Sequence, residues 1–520
     1  MHTVSGPKRR RRGAALILLT LMLATVVIPM VGLAMDGTLL YIVKAKLSAA
    51  VDGGAIAAAR SLSAGLTIDA QRDSAIATAD QFVRANFPDG FWATSNLRYD
   101  PAIQVQQHLT PYRRRTVTIQ ARVDVPLLFM RVLGWNSTTV NAVGEAARRD
   151  VRLVLVLDRS SSMSGAMGAL RNAASYFVSQ FSEGRDQLGL VVYGGSAIVA
   201  FPPRDPMNPG GGTGPASNFK TAGPTMNDLI NMTVSGSNTG MAEALILAWR
   251  ELQKNPLPGA LNAILLFTDG LPNGITAEYN SSVQANNLLN QSSTCRYCDV
   301  TASGSYCNGN PVPRQPGLPM SGFIAQHGGF APGGATWGIG RLMNTTADAA
   351  HPDVQSWLRD GGMEPVIQSP NSDSCYYRAN QNNMYQDVRA IPSVDAYGNA
   401  TNGADYVDSI HYQARHIALD LNQPNNAYQV GLASWNAADR AAWQIRYDAN
   451  LGVLIYSIGL FGGTEPPDSV LMMRMSNINN AQNHSYDATL SEGLYVQAPS
   501  TAELNAAFAK VASEILRLSM

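Results

Sequence analysis

Charge is what this chain lacks most. Charged side chains make up 15% of its 520 residues, against roughly a quarter in an ordinary globular protein, so its surface is polar but mostly uncharged. The 38 basic and 38 acidic residues cancel. A balanced chain supplies no general field to hold a polyanion, which excludes nucleic acid as an expected partner. Disorder is excluded too, because the long aliphatic runs bury enough surface to offset the entropy of ordering. At this length about two to four folded units are expected.

Catalytic motifs are also missing. His411 and His416 stand five positions apart without a His-Glu-x-x-His arrangement, so no zinc-protease helix is formed. Gly194-Gly195-Ser196 follows an apolar run, yet neither a phosphate-binding Gly-Lys-Ser/Thr nor a Gly-x-Ser-x-Gly nucleophile turn surrounds it. The expectation is a binding protein and not an enzyme. Cysteine is scarce, and all four, Cys295, Cys298, Cys307 and Cys375, fall in one stretch. Outside the cytoplasm an even count favours disulfides, with three possible pairings. The Cys295-x-x-Cys298 spacing leaves a four-cysteine zinc site as the alternative.

What is present begins with an asymmetry. Lys8, Arg9, Arg10, Arg11 and Arg12 immediately precede an uncharged stretch, Ala14 to Met35. As a helix, its roughly 22 residues span the ~30 Å hydrocarbon core of a bilayer. The cationic tail, residues 1–13, stays inside by the positive-inside rule, and everything after Asp36 is delivered outside the cytoplasmic membrane. A cleaved leader and a buried soluble helix are the alternatives; the run is long for a leader and GLAMDG around Gly32–Gly37 is a poor cleavage site. Residues 36–64 lack proline and are dense in alanine, and so continue the helix. Ala49, Ala50, Gly53, Gly54, Ala57 and Ala58 leave one side nearly bare, either to admit an assembly partner or to rest on the protein's own outer domain.

Residues 65–149 read as a small α+β segment. Val117, Ile119, Ala121, Val123 and Val125 alternate with polar neighbours, and Val140 to Ala146 do so less cleanly, as half-buried strands. Arg113 to Arg115 read as a solvated strand edge that discourages pairing.

From Arg152 the pattern changes to strands covered on both faces. Leu153–Leu157, Leu188–Val192, Ala197–Phe201, Ala263–Phe267 and Gly452–Leu460 are short, continuously apolar runs. Amphipathic helices separate them, one carrying Met167, Leu170, Ala174, Phe177 and Phe181, another Ala242, Leu245, Trp249 and Leu252. Ala414–Leu421 reads as a further helix. The chain closes on Leu504, Phe508, Val511, Ile515 and Leu518 behind a Ser500/Glu503 capping box. Such alternation predicts an α/β fold, a doubly wound and mainly parallel sheet over residues 150–520. A polar, Gly- and Pro-rich insertion at about 275–408 contains the four cysteines and leaves the sheet just after Asp269.

The first apolar strand ends in Asp158-Arg159-Ser160-Ser161-Ser162. A carboxylate and two alternate hydroxyls therefore lie at the carboxyl end of a central strand, where open α/β sheets place ligands. Ser237-Asn238-Thr239-Gly240 precedes a helix, and another strand ends in Thr268-Asp269-Gly270. Together these three segments resemble the metal-ion-dependent adhesion site of von Willebrand factor type A domains. The resemblance implies that Ser160, Ser162 and Thr239 offer hydroxyl oxygens, while Asp158 and Asp269 hold the ion directly or through water; Thr233 is the alternative threonine. Few carboxylates and several hydroxyls suit Mg²⁺ (or Mn²⁺), a hard cation that retains water. The open position would take a carboxylate from a protein partner, and filling it would shift the helix at 501–518. The other reading of Asp158 is a cap for the helix that follows.

The amino terminus is similar to TadG-like proteins of tight-adherence (Tad/Flp) pilus assembly. The likeness rests on Arg12-Gly13-Ala14, the apolar helix, Gly32-Leu33-Ala34-Met35-Asp36-Gly37 and Ala57-Ala58-Ala59, with Ile515-Leu516-Arg517-Leu518-Ser519 at the other end. It implies a membrane-anchored extracytoplasmic protein that contributes to pilus assembly or surface adhesion; a structural scaffold with a non-adhesive metal site is the alternative. Pilin-like relatives carry a glutamate five residues after the processing glycine, where this chain has Leu18, which argues against processing by a prepilin peptidase.

Overall fold

A computed structural model describes residues 10–64, 66–108, 114–195, 197–202, 214–236, 238–279, 320–328, 335–337, 392–401, 427–463 and 466–519. The chain divides into two compact units, meeting at Arg149 and Asp150.

The first unit is built on one long helical rod: α1 (Arg10–Met22), a π-helical turn (Leu23–Val27) and α2 (Ile28–Ser61). The wide turn sits just ahead of Pro29. Proline has no N–H to return to the carbonyl one turn back, and the widened turn accommodates that loss. The rod is apolar and long enough to cross a membrane, with a mean hydropathy of 2.6 in its most apolar window. Past Asp36 it becomes part of a fold. α3 (Ile68–Asn86) starts on Thr67, whose hydroxyl accepts from the Ala70 N–H and so satisfies one of the helix's free amino-terminal donors. Strands β1 (Ser95–Tyr99), β2 (Gln104–His108), β3 (Arg114–Pro126) and β4 (Ser137–Arg149) form an antiparallel sheet around β3. The alternate residues Val117 to Val125 of β3 are all buried, as their spacing predicts, with Leu47, Val51, Ala58 and Ala79 in the same core.

One choice left open by the sequence narrows in this unit, and one expectation changes. Much of the bare face of α2 packs inside the fold, although Ala49 stays exposed: a Cβ on Gly54 would lie 2.7 Å from Val83 Cγ2, one on Gly53 2.7 Å from the Phe82 ring, and one on Gly144 2.8 Å from the Val51 backbone. Small residues are needed because α2 lies directly on α3 and β4. Of the arginines that open β3, Arg114 is exposed, as a solvated edge would be, but the strand is paired there and Arg115 is not exposed. β3 pairs with β2 and β4 from Arg114 onward, and Arg115 is buried, donating to Gln71 Oε1 at 2.7 Å. A hydrogen-bonding pocket outweighs the usual preference of arginine for water. Arg113 lies outside the described residues.

The second unit holds the doubly wound sheet. Its strands are β5 (Val151–Asp158), β6 (Gln187–Tyr193), β7 (Ala197–Phe201), β8 (Leu261–Thr268), β12 (Leu454–Leu460) and β13 (Leu494–Ala498), in the order β13-β12-β8-β5-β6-β7. All neighbours are parallel except the β6–β7 edge pair. Every residue of β5 is buried, since Leu153, Leu155 and Leu157 face one core and Val154 and Val156 the other. On the first face α4 (Met167–Ser179) packs with the carboxyl-terminal helix α9 (Leu504–Ser519), joined by the Phe177, Phe508 and Phe267 rings. α5 (Met226–Met232) lies on the same side. The other face carries α6 (Met241–Gln253), α7 (Ala427–Arg446) and α8 (Ser469–Met475).

β8 is followed by a second, three-stranded antiparallel sheet of β9 (Gly274–Tyr279), β10 (Met320–Gly328) and β11 (Ala335–Trp337). Cys295, Cys298, Cys307 and Cys375 lie outside the described residues, as do His411, His416 and the helix expected at Ala414–Leu421. The helix that does precede β12 is α7, whose buried Val430, Ala433, Ala437, Ala441 and Ile445 recur at helical spacing. The Ser500/Glu503 pair is not a capping box. The Ser500 hydroxyl donates to Glu503 Oε2 at 2.7 Å, and a 3₁₀ turn, Thr501–Glu503, precedes α9. The reciprocal box occurs at α5 instead, between Thr225 and Asp228.

Candidate functional site

The site forms where the carboxyl ends of β5 and β8 lie side by side. Parallel pairing aligns Leu157 with Phe267, so the loops that follow, with Asp158–Ser162 on one and Thr268–Gly270 on the other, leave the sheet together. β6 adds Tyr193, in register with Asp158.

Asp158 is fully buried. Its Oδ1 accepts the Ser160 N–H at 2.7 Å, and its Oδ2 accepts the Thr268 hydroxyl at 2.7 Å and, more distantly, the Tyr193 hydroxyl at 3.4 Å. Asp269 is 5% exposed, and its Oδ1 accepts the Ser162 hydroxyl at 2.7 Å and the Ser160 hydroxyl at 3.4 Å. The two serine oxygens are 2.9 Å apart. Four of the five expected ligand residues thus meet in one cluster, drawn from two loops more than a hundred positions apart.

Thr239, the fifth, is stitched to the same edge by its backbone. Its N–H donates to Asn273 Oδ1 at 2.8 Å and its carbonyl accepts the Asn273 N–H at 3.2 Å. On either side, the Gly236 N–H bonds the Arg159 carbonyl at 2.7 Å and the Gly240 N–H bonds the Gly194 carbonyl at 2.6 Å. The alternative, Thr233, gives its hydroxyl to the Leu229 carbonyl at 2.9 Å, which closes α5. The helix-cap reading of Asp158 is not what the bonds describe: its carboxylate bonds Ser160, Thr268 and Tyr193, and α4 begins without a side-chain cap.

Burial pushes the Asp158 carboxyl up to about 7, and the nearby charge of Asp269 adds to the rise, against hydrogen bonds from Thr268 and Ser160 that lower it. Asp269 is raised by burial as well, opposed by the Ser162 and Ser160 hydroxyls. Both acids therefore resist ionising together, buried as they are beneath the exposed Ser162. Among the described residues no group of three or more His, Cys, Asp and Glu side chains comes together. The donors here are carboxylate and hydroxyl oxygens, a hard set that suits Mg²⁺ or Mn²⁺ better than a softer ion. A divalent ion would neutralise the crowded charges, so the residues fit the group.

Three participants carried no assigned role in the sequence. Thr268 lies within the quoted Thr-Asp-Gly, but its bond to Asp158 depends on strand register. Tyr193 ends an apolar run as an unremarked aromatic. Asn273 sits in a turn with no motif.

With the geometry in place, comparison with known proteins defines the class. The family model for the von Willebrand factor type A domain matches residues 153–271, which include the β5 and β8 loops of the cluster. The chain carries a von Willebrand factor type A domain. Residues 13–61 match a second model, described as putative Flp pilus-assembly TadE/G-like. The protein joins a Tad-type helical segment to a type A domain, as its two sequence resemblances imply. No curated protein matches.

Solved structures similar to this chain include the pilus adhesin SpaC from Lactobacillus rhamnosus GG, at 12% identity over 80% of this chain and 33% of that one, with a TM-score of 0.32. A point mutant of the PilB minor pilin from Streptococcus sanguinis is 13% identical over 81% of this chain and 79% of that one, with a TM-score of 0.33. The type A domain of the type V pili tip protein Mfa5 from Porphyromonas gingivalis is 14% identical over 72% of this chain and 98% of that one, with a TM-score of 0.32. This chain spans a third of the SpaC chain.

Proposed function

We propose that this is a single-pass protein of the cytoplasmic membrane whose extracytoplasmic type A domain binds a protein partner through a divalent cation, Mg²⁺ or Mn²⁺, in pilus assembly or surface adhesion. Asp158, Ser160, Ser162, Thr239 and Asp269 hold the ion, and the role is binding, not catalysis. The observation that carries the reading is the pair of buried, charge-crowded carboxylates joined through Ser160, whose N–H bonds Asp158 and whose hydroxyl, with that of Ser162, bonds Asp269. A hard cation bound there supplies an electrophilic position for one further carboxylate, from the partner. The chain's own residues bury the acids, orient the Asp158 carboxylate through Thr268 and the Ser160 N–H, and hold the threonine loop against Asn273.

The apolar rod supports the anchor, and the basic residues before it support an inside amino terminus. The Flp pilus-assembly match at residues 13–61 supports a place beside pilus components. The scaffold alternative, in which the small-residue face of α2 recruits partners, would have less of that surface to use, because Gly53 and Gly54 are covered by α3 while Ala49 stays exposed.

The test is titration calorimetry of the full chain with MgCl₂ or MnCl₂, together with recovery of the membrane partner in magnesium and in EDTA. Metal uptake and partner capture that are both lost in Asp158→Ala are expected. Capture that persists unchanged in EDTA and in the variant overturns the reading.

A further inference from the structure

The hairpin joining β3 to β4 is oddly apolar for a turn. Leu128 is 60% exposed, Val132 86% and Trp135 65%, with Phe129 beside them. Turns in water are polar, and contiguous exposed apolar side chains mark a contact surface. The tip is also held firmly. Asp36, buried at the point where α2 enters the fold, receives the N–H groups of Leu128, Phe129 and Met130 at 2.8, 3.0 and 2.9 Å. One helical turn earlier, a Cβ on Gly32 would lie 2.6 Å from the Phe129 ring. A carboxylate and a glycine on the rod thus fix the hairpin tip against it.

The position along the rod identifies the occupant. Counting from Leu16, about 20 residues of helix span the ~30 Å hydrocarbon core, which brings the outer boundary to the neighbourhood of Gly32–Asp36. Up to that point the rod exposes large apolar side chains, among them Val31, Leu33 and Met35. The hairpin's apolar residues lie beside this same stretch, so its surface continues the lipid-facing surface of the helix. Tryptophan favours the headgroup level, where its ring is half apolar and its N–H is hydrated.

We propose that the Leu127–Trp135 tip is a second membrane contact, placing Leu128, Phe129, Val132 and Trp135 in the lipid interface where the helix leaves the bilayer. The two attachments together fix the orientation of the first unit on the membrane, because a helix alone leaves it free to rotate and tilt. The proposal rests on the reading of the apolar rod as a membrane span.

The experiment uses the full chain in phosphatidylcholine vesicles, with and without lipids brominated near the headgroup, and reads tryptophan emission. The Trp135 signal is the difference between the parent chain and Trp135→Phe. A separate Leu23→Trp variant, read with lipids brominated deep in the acyl chains instead of near the headgroup, reports on the helix itself. Bromination should quench the Trp135 signal by about twofold or more, as for an interfacial ring, and Leu128→Gln with Val132→Gln should reduce that quenching while circular dichroism stays unchanged. If the Leu23→Trp signal is quenched and the Trp135 signal is not, the second contact is overturned while the membrane span stands, and the patch is left to a protein partner. If neither is quenched, both fall.

Discussion

The Ser162 hydroxyl donates to Asp269 Oδ1 at 2.7 Å across a separation of 107 positions. That bond ties the loop after β5 to the loop after β8 and brings a second buried acid up to Asp158. Replacing Asp269 with Asn removes a charge that the fold strains to hold. In EDTA this variant should melt no lower than the parent, because charge crowding on Asp158 is relieved. Its uptake of Mg²⁺ should fall by about tenfold or more, the loss of one charged oxygen donor from a hard-cation site. Thermal melts and calorimetry on the same preparation check both halves.

The pH dependence follows from Asp158. Its carboxyl stands at about 7 in the fold against an ordinary 3.8, so between those values the folded state keeps a proton that the unfolded chain releases. Stability therefore falls as pH rises through this window, for this group, and the loss is complete above about 7. Asp269 acts in the same direction, while Thr268, Ser160 and Tyr193 face Asp158 from the neighbouring strands and loop. Metal binding requires both acids ionised, so the rise in melting temperature on adding Mg²⁺ should be small near pH 5 and largest above pH 7. A magnesium effect that shrinks with rising pH would contradict this.

Gly144 faces the Val51 backbone so closely that a Cβ would lie 2.8 Å away. Neither a helix nor a sheet backbone yields as a flexible side chain would, so Gly144→Ala should cost about 1–3 kcal/mol by overpacking. The loss should appear as faster hydrogen exchange or proteolysis within residues 36–149.

Asp36→Ala strips the acceptor from three backbone N–H groups at once. Leaving partly buried donors unmet costs about 1–3 kcal/mol. Exchange of the Leu128, Phe129 and Met130 amides should accelerate by about fivefold to a hundredfold, each 1.4 kcal/mol being a factor of ten, while β5 and β8 keep their protection.

Phe508 connects the carboxyl-terminal helix to the strand that ends at the site, its ring 5.8 Å from Phe267 and 5.8 Å from Phe177. Phe508→Ala should cost about 3–5 kcal/mol through the cavity it leaves, read by denaturant unfolding. If filling the metal position shifts this helix, exchange in α9 should also change when metal and partner are added together.

Much of this was legible in the residues themselves. Strands buried on both faces must be apolar throughout, so β5, β6, β7, β8 and β12 announced themselves as short aliphatic runs. The helices α4 and α9, with one buried stripe, did so by spacing, whereas α6 turned out to be buried on nearly all sides. The type A match over 153–271 and the Tad-type match over 13–61 agree with resemblances carried by a few ordered motifs. What could not be read was partnership. The bare side of α2 was equally suited to another protein or to its own sheet, and only the approach of Gly144 and Val83 decided between them. Arg115 looked solvated until Gln71 met it in the fold.

The chain's local chemistry alone determined the apolar rod, five strands of the main sheet, and the oxygen-bearing side chains that close two of them, because periodicity and residue type act over a few neighbours. Tertiary structure decided that Ser162 meets Asp269, that Thr268 and Tyr193 hold Asp158, and that Asp36 clamps a distant hairpin. These contacts depend on strand register and on helix-to-sheet distance, which arise only when segments far apart in sequence pack into one close-fitted core.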